Sequence, residues 1–262
     1  MLRDLLNDVP IAVLVLGVVA LVAAAVLLAV WLLRRLVPPT REGFDAEVSS
    51  QILGSIAALF GLLLAFVIVV EFQNFEDAQG SVSGEADGLA TIVRNSHAFP
   101  AADGARVRGA VGAYARAVVE DEWPRMRSGH VSARASRGLD AMYGALQATE
   151  PRSRREAAFY DASVRQLSDV LVARRDRLDA VRGGLPTLLV AFMVFGSFVI
   201  VAYAAMVGSR SFGYHAMSTI AVAVLVGFSL VVLLDLSFPF SGDFSIEPDA
   251  FKEGALARFF PA

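Results

Sequence analysis

The alternation of apolar and polar positions divides the chain before anything else is considered. Residues 51–70, QILGSIAALFGLLLAFVIVV, hold no charged side chain, and about twenty such residues match the length a helix needs to cross the hydrocarbon of a bilayer. Glu71 ends the run. Beyond it the sequence turns polar, yet no proline interrupts before Pro100. The pattern therefore predicts one helix that begins in a membrane and continues outside it. Along it a stripe recurs at alternating spacings of four and three: Gly54, Ala58, Gly61, Ala65, Ile68, Phe72, Phe75, Gln79, Val82, Ala86, Leu89 and Val93. Such a heptad-like seam is expected to pack against other helices. Its membrane half is made of small residues, which let helix backbones approach closely where lipid supplies no hydrophobic drive. Two uses fit that face, close helix packing or the border of a pore.

The remaining runs complete the outline. Ile11 to Leu33 is apolar and closes at Arg34 and Arg35; it exceeds the apolar core of about 7–15 residues in a cleaved signal peptide, so it reads as a retained first span. Pro38 and Pro39 stop it. After Pro100, Val107, Val111, Tyr114 and Val118 fall on one face of a helix ending near Trp123 and Pro124. A shorter helix is expected over 136–148 with Leu139, Met142 and Leu146 inward. Another starts near Ser153, with a seam of Tyr160, Val164, Leu167, Leu171, Arg174, Leu178, Val181 and Leu185. Arg174 is the one charge in that seam, its stem expected to pack while its guanidinium reaches a carboxylate or water. Pro186 to Val207 is a third span, joined through a kink at Gly183, Gly184 and Pro186, and Met217 to Leu234 a fourth. The expected fold class is an all-α membrane protein: four transmembrane helices, the second and third extended by long helices into a soluble helical bundle. The segments are 1–70 (two spans), 71–184 (bundle), 185–236 (two spans) and 237–262 (C-terminal tail).

Composition agrees and narrows function. Of 262 residues 56% are hydrophobic, with mean hydropathy +0.57, too apolar for an ordinary soluble domain. With 23 basic and 26 acidic residues no nucleic-acid partner is expected. Cysteine is absent, which removes thiol chemistry. The histidines, His97, His130 and His215, lack metal-ligand spacing. Gly80, Gly84 and Gly88 lack the lysine of a phosphate loop and read as close helix packing. With no nucleophile elbow either, no enzymatic activity is expected. Orientation is divided: Arg34, Arg35, Arg41 and Arg210 lie in the short loops, whereas Arg174, Arg175, Arg177 and Arg182 crowd the third span.

The tail after the fourth span, LLDLSFPFSGDFSIEPDAF, sets Asp235, Asp243, Glu247 and Asp249 among aromatics and prolines. Asp243, Glu247 and Asp249 are candidate oxygen ligands for Ca²⁺, the one cofactor considered. The other reading, which the spacing favours, is a folded strap whose Phe238, Phe240, Phe244 and Phe251 pack on the soluble helices.

RRLVPP after the first span, LLLAFVIVVEFQNFEDA with EADGLATIVR behind it, Glu122-Trp123, and DLSFPFSGDFSIEP after the last span together resemble the bestrophin-like family of bacterial membrane proteins. That family is distantly similar to bestrophins, pentameric anion channels with four spans, a pore lined by the second span and an acidic Pro-Phe-Gly segment after the last. Pro239, Phe240, Gly242 and Asp243 approximate that segment, with Ser241 inserted and no run of consecutive acids. The resemblance implies a homo-oligomer, pentameric by analogy, in the inner membrane, conducting ions, with the soluble region and both termini cytoplasmic. The pore-lining candidates are Gly54, Ala58, Phe60, Gly61, Ala65 and Phe66. The alternative is a membrane-anchored helical sensor or scaffold without a pore.

Overall fold

The computed structural model describes residues 46–206 and 212–261, with Pro10 and scattered positions from 13 to 35. Most of the expected first span, together with Arg34, Arg41 and Arg210, lies outside the described residues. Among those described, every regular element is a helix. They fall into two compact units.

The membrane unit contains described residues 46–73, 184–206 and 212–237. Its helices are the first half of α1 (Ala46–Asn95), α6 (Thr187–Met206) and α7 (Phe212–Leu236). Each is long and apolar enough to cross a membrane. Phe60 and Leu64 of α1, Met193 and Ile200 of α6 and Leu233 of α7 form its interior.

The second unit contains described residues 74–183 and 238–261. Its helices are the second half of α1, α2 (Ala101–Ala117), α3 (Trp123–Arg127), α4 (Ala133–Gln147) and α5 (Arg154–Arg182). One wide π-helical turn, Val118–Glu122, joins α2 to α3, so the helix expected to end near Trp123 runs on to Arg127. Val107, Val111, Tyr114 and Val118 are fully buried, as their spacing predicts, and Leu139, Met142 and Leu146 face the same interior. Burial of each large apolar side chain contributes about 1.5–3 kcal/mol. Ser132 caps α4 by accepting from the amides of Arg134 and Ala135. Ser153 caps α5 through the Glu156 amide, and Glu156 in turn accepts from the Arg152 amide at 2.7 Å, a reciprocal arrangement that satisfies free donors at the helix start.

Two expectations change. The 183–186 segment is a break, not a kink: α5 stops at Arg182, Gly183 leaves helical geometry, and Gly184 has φ 149°, a region open to glycine. The α5 stripe is also rotated. Its buried members are Ser163, Leu167, Val170, Arg174, Arg177 and Val181, while Val164 is 41% exposed. The expected seam gave Leu178 the place that Arg177 takes.

Candidate functional site

The membrane half of α1 carries the first candidate. Gly54, Ala58, Gly61 and Ala65 are all exposed, with nothing within 4 Å of where a Cβ would stand on Gly54 or Gly61. Helical rotation of about 100° per residue sets these four within one narrow stripe. Phe66 is 68% exposed and about 100° round the helix from Ala65. Phe60 does not join them. It is 7% exposed and lies against Gly196 of α6, where any Cβ would overlap its ring, with Phe192 at 6.5 Å between centroids. Only 11% of the apolar window of α1 is buried within the chain, against 28% for α6 and for α7. Of these three described spans the least covered is thus the one with the small-residue stripe.

In the second unit four charges meet in the interior, Glu85, Glu122 and Arg177 with no exposed side-chain surface and Arg174 with 10%. Arg177, fully buried on α5, donates from Nε to Glu85 Oε2 at 2.7 Å, from Nη2 to Glu85 Oε1 at 3.1 Å and from Nη2 to Glu122 Oε2 at 2.8 Å. Its Nη1 lies 2.8 Å from Met126 Sδ. Arg174 donates to Glu122 Oε1 at 2.7 Å and to Ser136 Oγ at 3.3 Å. Tyr114 donates its hydroxyl to Glu85 Oε1 at 2.6 Å. Glu85 comes from α1, Glu122 from the wide turn, and both arginines from α5, so the cluster ties three segments together. Two guanidinium groups against two carboxylates leave it neutral, which burial requires. Burial by itself pulls the Arg177 guanidinium down, but the Glu85 carboxylate above all, helped by Tyr114 and Glu122, holds it above its ordinary value. Burial and then the Glu85 charge push the Tyr114 phenol well above 10.

The tail is wrapped onto this cluster through Trp123. The Arg177 guanidinium carbon lies 5.4 Å from the centre of its ring, within cation–π range. Its Nε1 donates to the Ile246 carbonyl at 3.2 Å, and Phe240 and Phe251 meet it edge-on at 5.8 and 5.9 Å. Phe240 and Phe251 are buried, Phe238 is half-buried, and Phe244 is 65% exposed. Two of the four strap aromatics, Phe240 and Phe251, therefore pack into the interior.

Two of the three candidate calcium ligands share a hollow and the third lies outside it. Asp243 and Glu247 border one hollow of about 470 Å³, but Arg127 borders it too and its Nη2 sits 2.9 Å from Glu247 Oε1. Asp249 is outside the hollow and pairs with Lys252 at 3.5 Å. Among the described residues no three histidine, aspartate or glutamate side chains form a metal-holding group. Calcium takes six to eight oxygens; this donor set, with a guanidinium inside it, does not fit the ion.

The model of the Bestrophin-like domain matches residues 20–251. The chain belongs to the bestrophin-like family. A search of curated proteins finds no match to this bestrophin-like chain. Solved structures share its fold. A crystallised mutant of a bacterial bestrophin homologue from Klebsiella pneumoniae has a TM-score of 0.70 at 10% identity, covering 94% of this chain and 99% of that one. A crystallised membrane-protein mutant has 0.69 at 10%, covering 94% and 97%, and a further Klebsiella pneumoniae mutant 0.63 at 14%, covering 94% and 98%.

The sequence places Arg174 in a seam with its guanidinium on a carboxylate or water, but does not join Glu85, Glu122 and Arg177 to it in this bestrophin-like fold. Arg177 enters the sequence reading only among the arginines near the third span, and Glu85 sits among polar neighbours on α1. One signal was available. Arg174 and Arg177 are three apart, and Arg177 follows Leu167, Val170 and Arg174 at the spacings of one helical face.

Proposed function

We propose that this bestrophin-like chain is one subunit of a homo-oligomeric ion channel of the inner membrane, pentameric by family analogy. Its role is transport of ions, without catalysis. The stripe Gly54, Ala58, Gly61 and Ala65 borders the conduction path, Phe66 flanks it at the subunit boundary, and Phe60 supports it from behind against α6. The observation that supports this reading is the uncovered state of α1: of the three described spans it is the least buried by its own chain, and its exposed surface includes the small-residue stripe. Small residues left exposed on one face of a span let a neighbouring helix approach closely. The soluble unit and both termini are assigned to the cytoplasm, in line with the family likeness.

Conductance of purified protein in planar bilayers tests it. Wild-type channels are expected to open, and Gly61→Leu and Ala65→Leu are expected to lower unitary current while the oligomer survives. If instead both substitutions dissociate the oligomer, the stripe is a packing face. Silence from assembled wild-type protein across several salts and voltages would point to a membrane-anchored sensor or scaffold.

A further inference from the structure

The acidic strap of a bestrophin-like chain invites calcium, yet several of its acceptors are already used by donors of this chain. The Ile246 carbonyl accepts from Trp123 Nε1 at 3.2 Å. The Arg127 carbonyl accepts from Ser241 Oγ at 2.9 Å. The Pro239 carbonyl accepts from the Ile246 amide at 2.8 Å. Glu247 accepts from Arg127, and Asp249 faces Lys252. Asp243 and Glu247 share their hollow with the Arg127 guanidinium, whose charge opposes a dication at either carboxylate. Buried aromatic contacts at Phe240 and Phe251 hold the segment down on both sides of that hollow.

We propose that the strap is a calcium-independent clasp, closed by the Trp123 indole and by the Arg127 guanidinium standing at Glu247. This docking stands apart from conduction, so strap protection, not current, is the readout. Hydrogen exchange across residues 246–251 is measured on the full chain in detergent, once in about 1 mM calcium and once in chelator, concentrations that bracket sensor-type sites. Wild-type exchange is expected to be the same in both. Trp123→Phe removes the indole donor and Arg127→Gln the cation; each is expected to speed exchange by about fivefold or more, equally with and without calcium. Trp123 is buried in the core, so that variant also risks unfolding; Arg127 is half-exposed, and its variant carries the test if the other fails to fold. Faster wild-type exchange in chelator, calorimetric calcium binding tighter than about 10 µM, or unchanged exchange in Arg127→Gln would each overturn the proposal.

Discussion

Arg177 joins both buried carboxylates of the second unit. Its guanidinium has no water to fall back on, and neither Glu85 nor Glu122 has any exposed side-chain surface. Arg177→Met would leave two carboxylates buried against one remaining arginine. Breaking a buried pair from one side costs about 3–5 kcal/mol, so chemical unfolding followed by Trp123 fluorescence should show a loss of that size. The double variant Arg177→Met with Glu85→Gln should lose less than the two single losses summed, because each single change strands a charge that the double change removes. Tyr114 gives a milder and pH-dependent test. Tyr114→Phe removes a hydrogen bond to a charged acceptor, worth about 1.5–3 kcal/mol. The folded state holds the phenol protonated beyond pH 10, whereas in the unfolded chain it ionises near 10. The unfolded state therefore loses its proton first as pH rises, and the Tyr114 contribution, complete below about pH 10, is lost above it. Unfolding midpoints should fall in that alkaline range, and Tyr114→Phe should flatten the fall.

Among the elements, α1 best separates what its residues announce from what they conceal. Its length, its charge-free first half and its polar continuation were all legible, because they need only hydropathy and the absence of a breaker. The seam was legible as a period but not as a face. A strict seven-residue repeat drifts about 20° per heptad on a straight helix. Over the length of α1 that drift separates the exposed Gly54, Ala58, Gly61 and Ala65 from Val82, Ala86, Leu89 and Val93, which are buried. On α5 the difference has another cause, since the expected stripe follows the apolar Leu178 and passes by Arg177. Pairing partners for a buried charge lie far along the chain and leave no local trace. The glycines of α1 make the point testable. A Cβ on Gly88 would stand 2.5 Å from Val170 Cγ2, one on Gly84 3.9 Å from Ala173 Cβ, and one on Gly80 in open space. Gly88→Val should cost about 1–3 kcal/mol by overpacking, and Gly80→Val should cost no more than a surface change if that side faces solvent; thermal unfolding of the two variants compares them. In the membrane unit, Gly196→Leu should lower stability in detergent by overlap with the Phe60 ring, and Phe60→Ala in the same chain should recover part of the loss.

At the scale of the whole molecule the predictions concern assembly and biosynthesis. Crosslinking in mild detergent should trap oligomers, because α1 leaves its apolar span uncovered within one chain; monomers at every concentration would contradict this. A reporter fused after the final residue should be active in its cytoplasmic form and inactive as periplasmic alkaline phosphatase. The buried cluster also sets an order of events during synthesis. Glu85 and Arg177 are 92 residues apart, and ribosomes add about 5–20 residues per second. For about five to twenty seconds a nascent chain has made the carboxylate but not the guanidinium that neutralises it. Closing α1 onto α2 during that interval would bury an unpaired charge, so the helical unit has to wait for α5. Trp123 waits longer still, for Ile246 lies 123 residues on, beyond two hydrophobic spans. The second unit of this chain is thus finished only after its last membrane helix has left the ribosome, and a ribosome stalled once Arg177 has emerged but before Ile246 is made should display a bundle that is neutral inside but still open to protease along the Trp123 face.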